Sequence, residues 1–321
     1  MPEPPYPGPE MNLSQRRRAW LRRLALVAAA LVLAITSLSA FIRLSNAGLG
    51  CSEWPQCYGS RFRAVQQTRE SAVADNGAVT VARLAHRLVA VLALLAITTI
   101  VMVCFGNRPR LMREGALALA MLILTIGLAV LGRWTAGARM PAVAIGNLLG
   151  GLLILALSWR LAGRTTEPGR PMLRTWAWVG VAVLFTQVAL GALVSASYSG
   201  LSCAAPGDCL RAAEAAGWPW QMLNPWREPV FGATPMPLNP SGALAQVVHR
   251  GGALLALLVL IPLGAAALRG KRRRDGAALL VLVVLQLGLG WLMVLTMLPL
   301  PLALAHNVVA GLLLATVVRL A

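Results

Sequence analysis

The sequence predicts an all-α membrane protein with eight transmembrane helices, arranged as two four-helix bundles that form a parallel repeat. Three observations predict this class. Of the 321 residues, 58% are hydrophobic and 12% are charged, and the mean hydropathy is +0.69, which excludes an ordinary soluble domain. Eight apolar runs approach the ~20 residues that cross the hydrocarbon layer of a bilayer. The basic residues are concentrated in alternate connections between these runs, as in proteins oriented in a membrane.

The apolar runs follow a polar, proline-rich tail (1–23) and continue to the end of the chain. They lie near 24–42, 84–105, 115–133, 141–162, 175–196, 243–268, 276–297 and 301–320. Backbone groups in lipid must be satisfied within the segment, so each run is expected to be a helix. The first run also resembles a signal peptide, with a cleavage site in 37–40, and its arginines loosely resemble a twin-arginine signal. Its length favours a retained span anchored by positive charge.

Basic residues predict the orientation of the chain. Five precede the first run, three separate the second from the third, and five separate the sixth from the seventh. Four lie at the connection between the fourth and fifth runs, namely Arg160 at the end of the fourth run with Arg164, Arg170 and Arg174. This places both termini in the cytoplasm and the long loops 44–82 and 197–242 on the outer side of a bacterial inner membrane. The net charge is +18, but aromatic residues rarely interleave the arginines, so no nucleic-acid partner is expected.

Four of the five cysteines form two pairs of like spacing in the predicted outer loops. They are Cys51 with Cys57 and Cys203 with Cys209. An oxidising exterior permits disulfides there, and a gap of five residues can close one. Four free thiols are the alternative, and the sequence does not decide whether both pairs are oxidised. Cys104 lies within an apolar run and is expected to pack as a small buried residue.

The two halves of the chain repeat the same features. The N-terminal half (24–162) is joined by a cytoplasmic linker (163–174) to the C-terminal half (175–321). Matching features recur at offsets of 152, 163 and 159 residues, for the first cysteine, the first histidine and the last polar helix position. Each unit has an even number of helices, so both are expected to have the same orientation about an axis along the membrane normal.

The only three histidines lie near the starts of apolar runs: His86, His249 and His306. Asn147 holds the matching position in a fourth helix. His249 and His306 are predicted to approach an iron porphyrin from opposite sides, since imidazole is a common axial ligand of haem. Small residues follow each position at helical spacing, which would leave room for a flat cofactor. The arginines expected to pair with its propionates are Arg43, Arg87 and Arg250.

Other interpretations are less favoured. Each histidine could simply donate an interhelical hydrogen bond, although three at repeated positions favour ligation because ionisable groups within membranes are usually functional. A zinc or copper site lacks cysteine or carboxylate ligands within the helices. All eleven carboxylates lie in tails, loops or loop edges, which argues against a proton-coupled transporter.

These residues together resemble the haem A synthase family, from about residue 24 to the end of the chain. The resemblance is carried by the stretches 43–59, 86–87, 131–135, 147–151, 249–250 and 298–307. It implies an eight-helix oxidoreductase that converts the methyl group of haem O to the formyl group of haem A for terminal oxidase biogenesis. The C-terminal half would hold haem b through His249 and His306. The N-terminal half would bind the substrate haem O through His86, and Glu53 is the acid proposed for proton transfer.

The resemblance also implies oxidase-biogenesis partners, namely haem O synthase and oxidase assembly factors, in contact with membrane lipid; a homo-oligomer is compatible with it. Two residues depart from the family pattern. Asn147 stands at the second N-terminal histidine position, and Arg83 stands where the family has a glutamate. At i, i+3 from His86, Arg83 puts a positive charge where a base is expected. A variant enzyme, a non-catalytic haem-binding paralogue and a haem-handling assembly protein all fit these departures.

Overall fold

The computed structural model describes residues 13–46, 77–106, 108–134, 140–163, 171–203, 207–228 and 239–321. This part of the chain contains nine α-helices and no strands. They are α1 Leu13–Asn46, α2 Gly77–Phe105, α3 Met112–Trp134, α4 Pro141–Ala162, α5 Pro171–Ala196, α6 Asp208–Ala215, α7 Ala243–Arg269, α8 Arg273–Leu295 and α9 Leu300–Leu320. Two short 3₁₀ turns, Trp220–Leu223 and Pro240–Gly242, precede α7. All except α6 are long and apolar enough to cross a membrane, which confirms the predicted all-α class and the eight spans.

Two helices begin seven or more residues before the apolar runs that predict them. Helix α1 starts at Leu13 and includes the arginine-rich segment, so its 34 residues extend about 51 Å at 1.5 Å per residue. Hydropathy detects only the part of a helix that suits lipid, and the polar extension is therefore absent from the prediction. Helix α2 starts at Gly77, which places His86 about two and a half turns from the helix start.

The long helices pack as two rings of four. Helix α1 contacts α2 and α4, and α3 contacts the same two helices; α5 and α8 likewise each contact both α7 and α9. The rings meet where α4 packs on α5 and α9, and where α1 packs on α9. Gly311 of α9 lies at this junction: a Cβ there would be 3.4 Å from side-chain atoms of Leu155 and Leu33. A small residue thus permits close helix approach between the rings.

Both ends of the described chain lie at the same end of the bundle. Arg43 in the last turn of α1 and His306 near the start of α9 line one cavity, so the start of α1 and the end of α9 lie together at the opposite end. Arginines bind there: Arg17 donates to the carbonyl oxygens of Val103 and Cys104, which end α2. Such contacts satisfy carbonyl groups that the helix itself leaves unpaired.

The cavity end is held by a disulfide and a polar network. Cys203 and Cys209 are joined, with Cα atoms 5.0 Å apart, which confirms that predicted pair; Cys51, Cys57 and Glu53 lie outside the described residues. Gln246 near the start of α7 donates to the carbonyl oxygens of Ser199 and Gly200, at 3.1 and 2.9 Å. These bonds fix the first turn of α7 against the segment after α5. Cys104, as predicted, is a buried free thiol.

Candidate functional site

A cavity of about 530 Å³ lies within the second ring. Its walls come mainly from α5, α7, α8 and α9, and are completed by the last two turns of α1, by Leu148 of α4 and by the segment after α5. His249 of α7 and His306 of α9 both line it. The remaining lining is mainly leucine, valine, alanine and glycine, and the volume falls within the range of pockets for organic ligands. The structure therefore brings together the two histidines that the sequence pairs.

His249 is held by the neighbouring helix α5. The amide Nε2 of Gln187 lies 3.1 Å from the imidazole Nδ1 of His249 and donates to the carbonyl oxygen of the same residue at 2.9 Å. Four residues along α5, Gly191 faces the ring: a Cβ there would be 3.0 Å from Cε1 of His249. The position and orientation of the ring thus depend on one amide and on the absence of one side chain.

His306 has the same kind of surroundings, which are supplied by helix α8. The amide Nε2 of Gln286 in α8 lies 3.0 Å from the imidazole Nε2 of His306. Gly290, four residues later, faces the imidazole, with its Cβ position 3.2 Å from Cε1. The Nδ1 atom of His306 and the Oε1 atoms of both glutamines are buried without a hydrogen-bond partner in the described residues. These atoms retain unused hydrogen-bonding or ligating capacity at the cavity.

The glutamines and glycines are site residues that the sequence analysis missed. Gln187 with Gly191 and Gln286 with Gly290 form a Gln-x-x-x-Gly pattern that occurs on the helix packed beside each histidine. Residues at i and i+4 share one helix face. The pattern therefore places the glutamine amide and the space left by the glycine on the same side of the helix. The sequence contains a signal for these positions, because a glutamine within an apolar span is costly unless its amide has a hydrogen-bond partner.

Two of the three predicted arginines reach the cavity. Arg43 and Arg250 line it, and the guanidinium Nε of Arg43 donates to the hydroxyl of Ser195 at 3.1 Å. Arg43 belongs to the first ring yet serves a cavity in the second, because the last turn of α1 ends beside α5. Arg87 is exposed and does not line this cavity.

The N-terminal positions do not line this cavity, although Leu148, the residue after Asn147, does. His86 and Asn147 are half-buried, Arg83 is exposed, and none of the three lines the cavity. Within the described residues, no hydrogen bond joins His86 to Asn147. The small residues after Asn147 contact neighbouring helices: a Cβ on Gly150 would lie 2.7 Å from Cδ2 of Leu128. In the second ring, Gly252 similarly accommodates the side chain of Gln187.

The donor set of the cavity fits a haem. In the described part of the chain, no three His, Cys, Asp or Glu side chains cluster as metal ligands. Two imidazoles in an apolar chamber therefore suit a metal that carries its own equatorial ligands, as haem iron does. Gly191 and Gly290 leave open, beside the two imidazoles, the space that a Cβ would fill. Arg43 and Arg250 supply positive charge for the propionate carboxylates of a haem.

Comparison with known proteins agrees with this fit. Residues 22–318 match the model of the family described as cytochrome oxidase assembly protein (COX15-CtaA). The chain is also 31% identical over 325 aligned residues to a protein named Heme A synthase from Shewanella oneidensis, and the alignment covers 94% of each chain. The matched range, 22–318, spans both rings and the positions of both cavity histidines. The protein is therefore an integral membrane member of the cytochrome oxidase assembly protein family that includes haem A synthases.

Proposed function

We propose that this protein is a membrane oxidoreductase that converts the methyl group of haem O to the formyl group of haem A. The observation that carries the proposal is the pair of imidazoles, His249 and His306, in one apolar cavity with two arginines. The similarity to a protein named Heme A synthase supports it. The conversion of –CH₃ and one water to –CHO releases four electrons and four protons, so the reaction requires an electron-transfer group and an acceptor.

The second ring is the proposed cofactor site. His249 and His306 would hold the iron of haem b, and Arg43 and Arg250 would pair with its propionates. When bound, haem b supplies one-electron redox chemistry. The apolar walls of the cavity would exclude water from the surroundings of the porphyrin, which would strengthen the electrostatic interactions of the two arginines.

The first ring is the proposed substrate site. His86 would bind the iron of haem O, Arg87 would pair with a propionate, and Glu53 would transfer a proton from the outer loop. Asn147 is a poor iron ligand, so this half would bind iron through one imidazole. The exposed guanidinium of Arg83 puts positive charge on α2 three residues before His86. Proton transfer would therefore use an acid from outside α2, which is Glu53 in this proposal.

The proposed membrane arrangement follows the arginine distribution. The end of the bundle that carries Arg17 would face the cytoplasm of a bacterium, and the Cys203–Cys209 disulfide would face the outside of the inner membrane. The two rings would be parallel repeats, 24–162 and 175–321, with matching helix order. Haem O synthase would supply the substrate, and oxidase assembly factors would receive the product at this membrane; self-association would be compatible with the arrangement.

Analysis of extracted haems tests the proposed activity. The protein is expressed with a haem O synthase in cells that make no haem A, and the haems are extracted and separated. Appearance of hydroxylated and formyl haems supports the proposal. Haem B and haem O alone, with the protein present and loaded with haem, would refute catalysis and support a non-catalytic haem-binding paralogue. His306→Ala serves as the inactive control, because it removes a proposed axial ligand and leaves the N-terminal half unchanged.

A further inference from the structure

Two glutamines stand at equivalent places around the cavity, one beside each histidine. Gln187 on α5 contacts His249 of α7, and Gln286 on α8 contacts His306 of α9. Each amide lies within 3.1 Å of an imidazole nitrogen. A single amide could be incidental in a helix interface. Two amides on two different helices, each followed four residues later by a glycine that faces the same ring, indicate a repeated device.

The glutamine oxygens have the chemistry that an axial histidine requires. An imidazole that binds a metal through one nitrogen carries a proton on the other, and that N–H needs an acceptor. Gln187 Oε1 and Gln286 Oε1 are both buried and have no partner in the described residues. Amide nitrogen and oxygen exchange places by a half-turn of the terminal torsion. This exchange lets Gln286 present its oxygen to the imidazole of His306 when the histidine binds iron. At Gln187 the same exchange gives up the 2.9 Å hydrogen bond from Nε2 to the carbonyl oxygen of His249.

We propose that Gln187 and Gln286 are positioning residues that accept a hydrogen bond from the axial histidines, fix the planes of their rings and tune the reduction potential of the haem. This proposal rests on the assignment of the cavity as a haem site. An acceptor on the N–H makes the imidazole a stronger electron donor, which stabilises ferric iron and lowers the potential. The glutamines thus set the potential at which the cofactor passes electrons.

The N-terminal half lacks both amides. At the offset of 152 residues that relates the cysteine pairs, the counterpart of Gln187 is Ile35; at the offset of 158 residues that relates Leu131 to Leu289, the counterpart of Gln286 is Leu128. Leu128 packs over Gly150. The glutamine beside each histidine is therefore confined to the half that has two histidines, as expected if it serves a redox cofactor.

Redox titration of the purified, haem b-loaded protein tests the proposal. Gln187→Leu and Gln286→Leu should each raise the midpoint potential. A tenfold change in the ferrous-to-ferric ratio, about 59 mV for one electron, is expected from the size of such outer-shell effects. Gln221→Leu makes the same change at an exposed position in the 3₁₀ turn Trp220–Leu223 and should leave the potential unchanged. Electron paramagnetic resonance of the ferric protein should show altered g-values, because the imidazole planes lose their restraint.

The outcomes separate this proposal from the proposed function. If the parent protein binds haem b with a low-spin spectrum and neither leucine variant shifts the potential, the positioning role is overturned and the haem site stands. If the parent binds no haem b, the site assignment itself fails. Should the leucine variants not fold, Gln187→Glu and Gln286→Glu decide the matter: a stronger acceptor should lower the potential below that of the parent, and an unchanged potential would overturn the proposal.

Discussion

A methyl group added at Gly191 should weaken haem binding through the position of one imidazole. In Gly191→Ala the new Cβ would lie 3.0 Å from Cε1 of His249, whereas carbon atoms pack comfortably at about 3.5–4.0 Å. The ring must therefore move by about half an ångström. It cannot do so freely, because Gln187 contacts its Nδ1 at 3.1 Å.

The size of the effect follows from the cost of overpacking. Extra methyl groups in tight sites cost about 1–3 kcal/mol, and 1.4 kcal/mol corresponds to a tenfold change in affinity. If the strain is relieved by displacing His249 from the iron, the dissociation constant for haem b should rise about 5- to 150-fold. Gly290→Ala has a longer contact, 3.2 Å to Cε1 of His306, and should give the smaller effect of the two.

Haem b titration of the purified apoprotein, followed by the Soret band, measures this change. Gly288→Ala is the matched control, because it lies on α8 near Gly290 but its Cβ would meet nothing within 4 Å. That control also carries the usual gain of alanine over glycine in a helix, about 0.5–1 kcal/mol. Equal haem affinity in Gly191→Ala and Gly288→Ala would refute the argument that the glycine makes room for an axial ring.

Three further changes probe the ligand, the disulfide and the polar network. His306→Ala should convert the low-spin spectrum of two axial imidazoles to a high-spin spectrum; a retained low-spin spectrum would exclude His306 as a ligand. Cys209→Ser opens the short loop to Cys203 and should cost about 2 kcal/mol, measured as a lower thermal midpoint; a parent protein equally stable with and without reductant would contradict this. Gln246→Leu removes the side-chain donor to the carbonyl oxygen of Gly200 and one of two donors to that of Ser199, which also accepts from the N–H of Ser202; it should cost about 1–2 kcal/mol. A thermal midpoint equal to that of the parent would show that the carbonyl of Gly200 finds another partner.

Hydropathy predicts the eight spans because the lipid-facing surface of a helix must be apolar, whatever its neighbours are. The exposed leucines of α2 and α7, such as Leu88 and Leu258, belong to that surface and need no tertiary information. The helical arginine-rich start of α1 is different. Its stability depends on contacts such as that of Arg17 with the end of α2, which sequence periodicity does not contain.

The candidate site is predicted in part for a similar reason. His249 and His306 are detectable because imidazole is rare and expensive within a span. Arg87 and Arg250 follow their histidines in the same way, and the sequence treats them alike. The structure separates them: Arg250 lines the cavity and Arg87 is exposed. Which face of a helix meets a cavity is decided by packing between helices, and the local sequence around each arginine does not specify it.

Under the proposed function, the asymmetry between the two halves has one physical explanation. A cofactor that only exchanges electrons benefits from a fixed geometry, because rigid ligands reduce the rearrangement that accompanies each transfer. The second ring has that geometry, with an amide and a glycine against each imidazole. A substrate haem must enter and leave, so ligands that are fixed less tightly suit it. Leu128 in place of a glutamine, and Asn147 in place of a second histidine, are consistent with a first ring that binds haem O through one imidazole and releases it after oxidation.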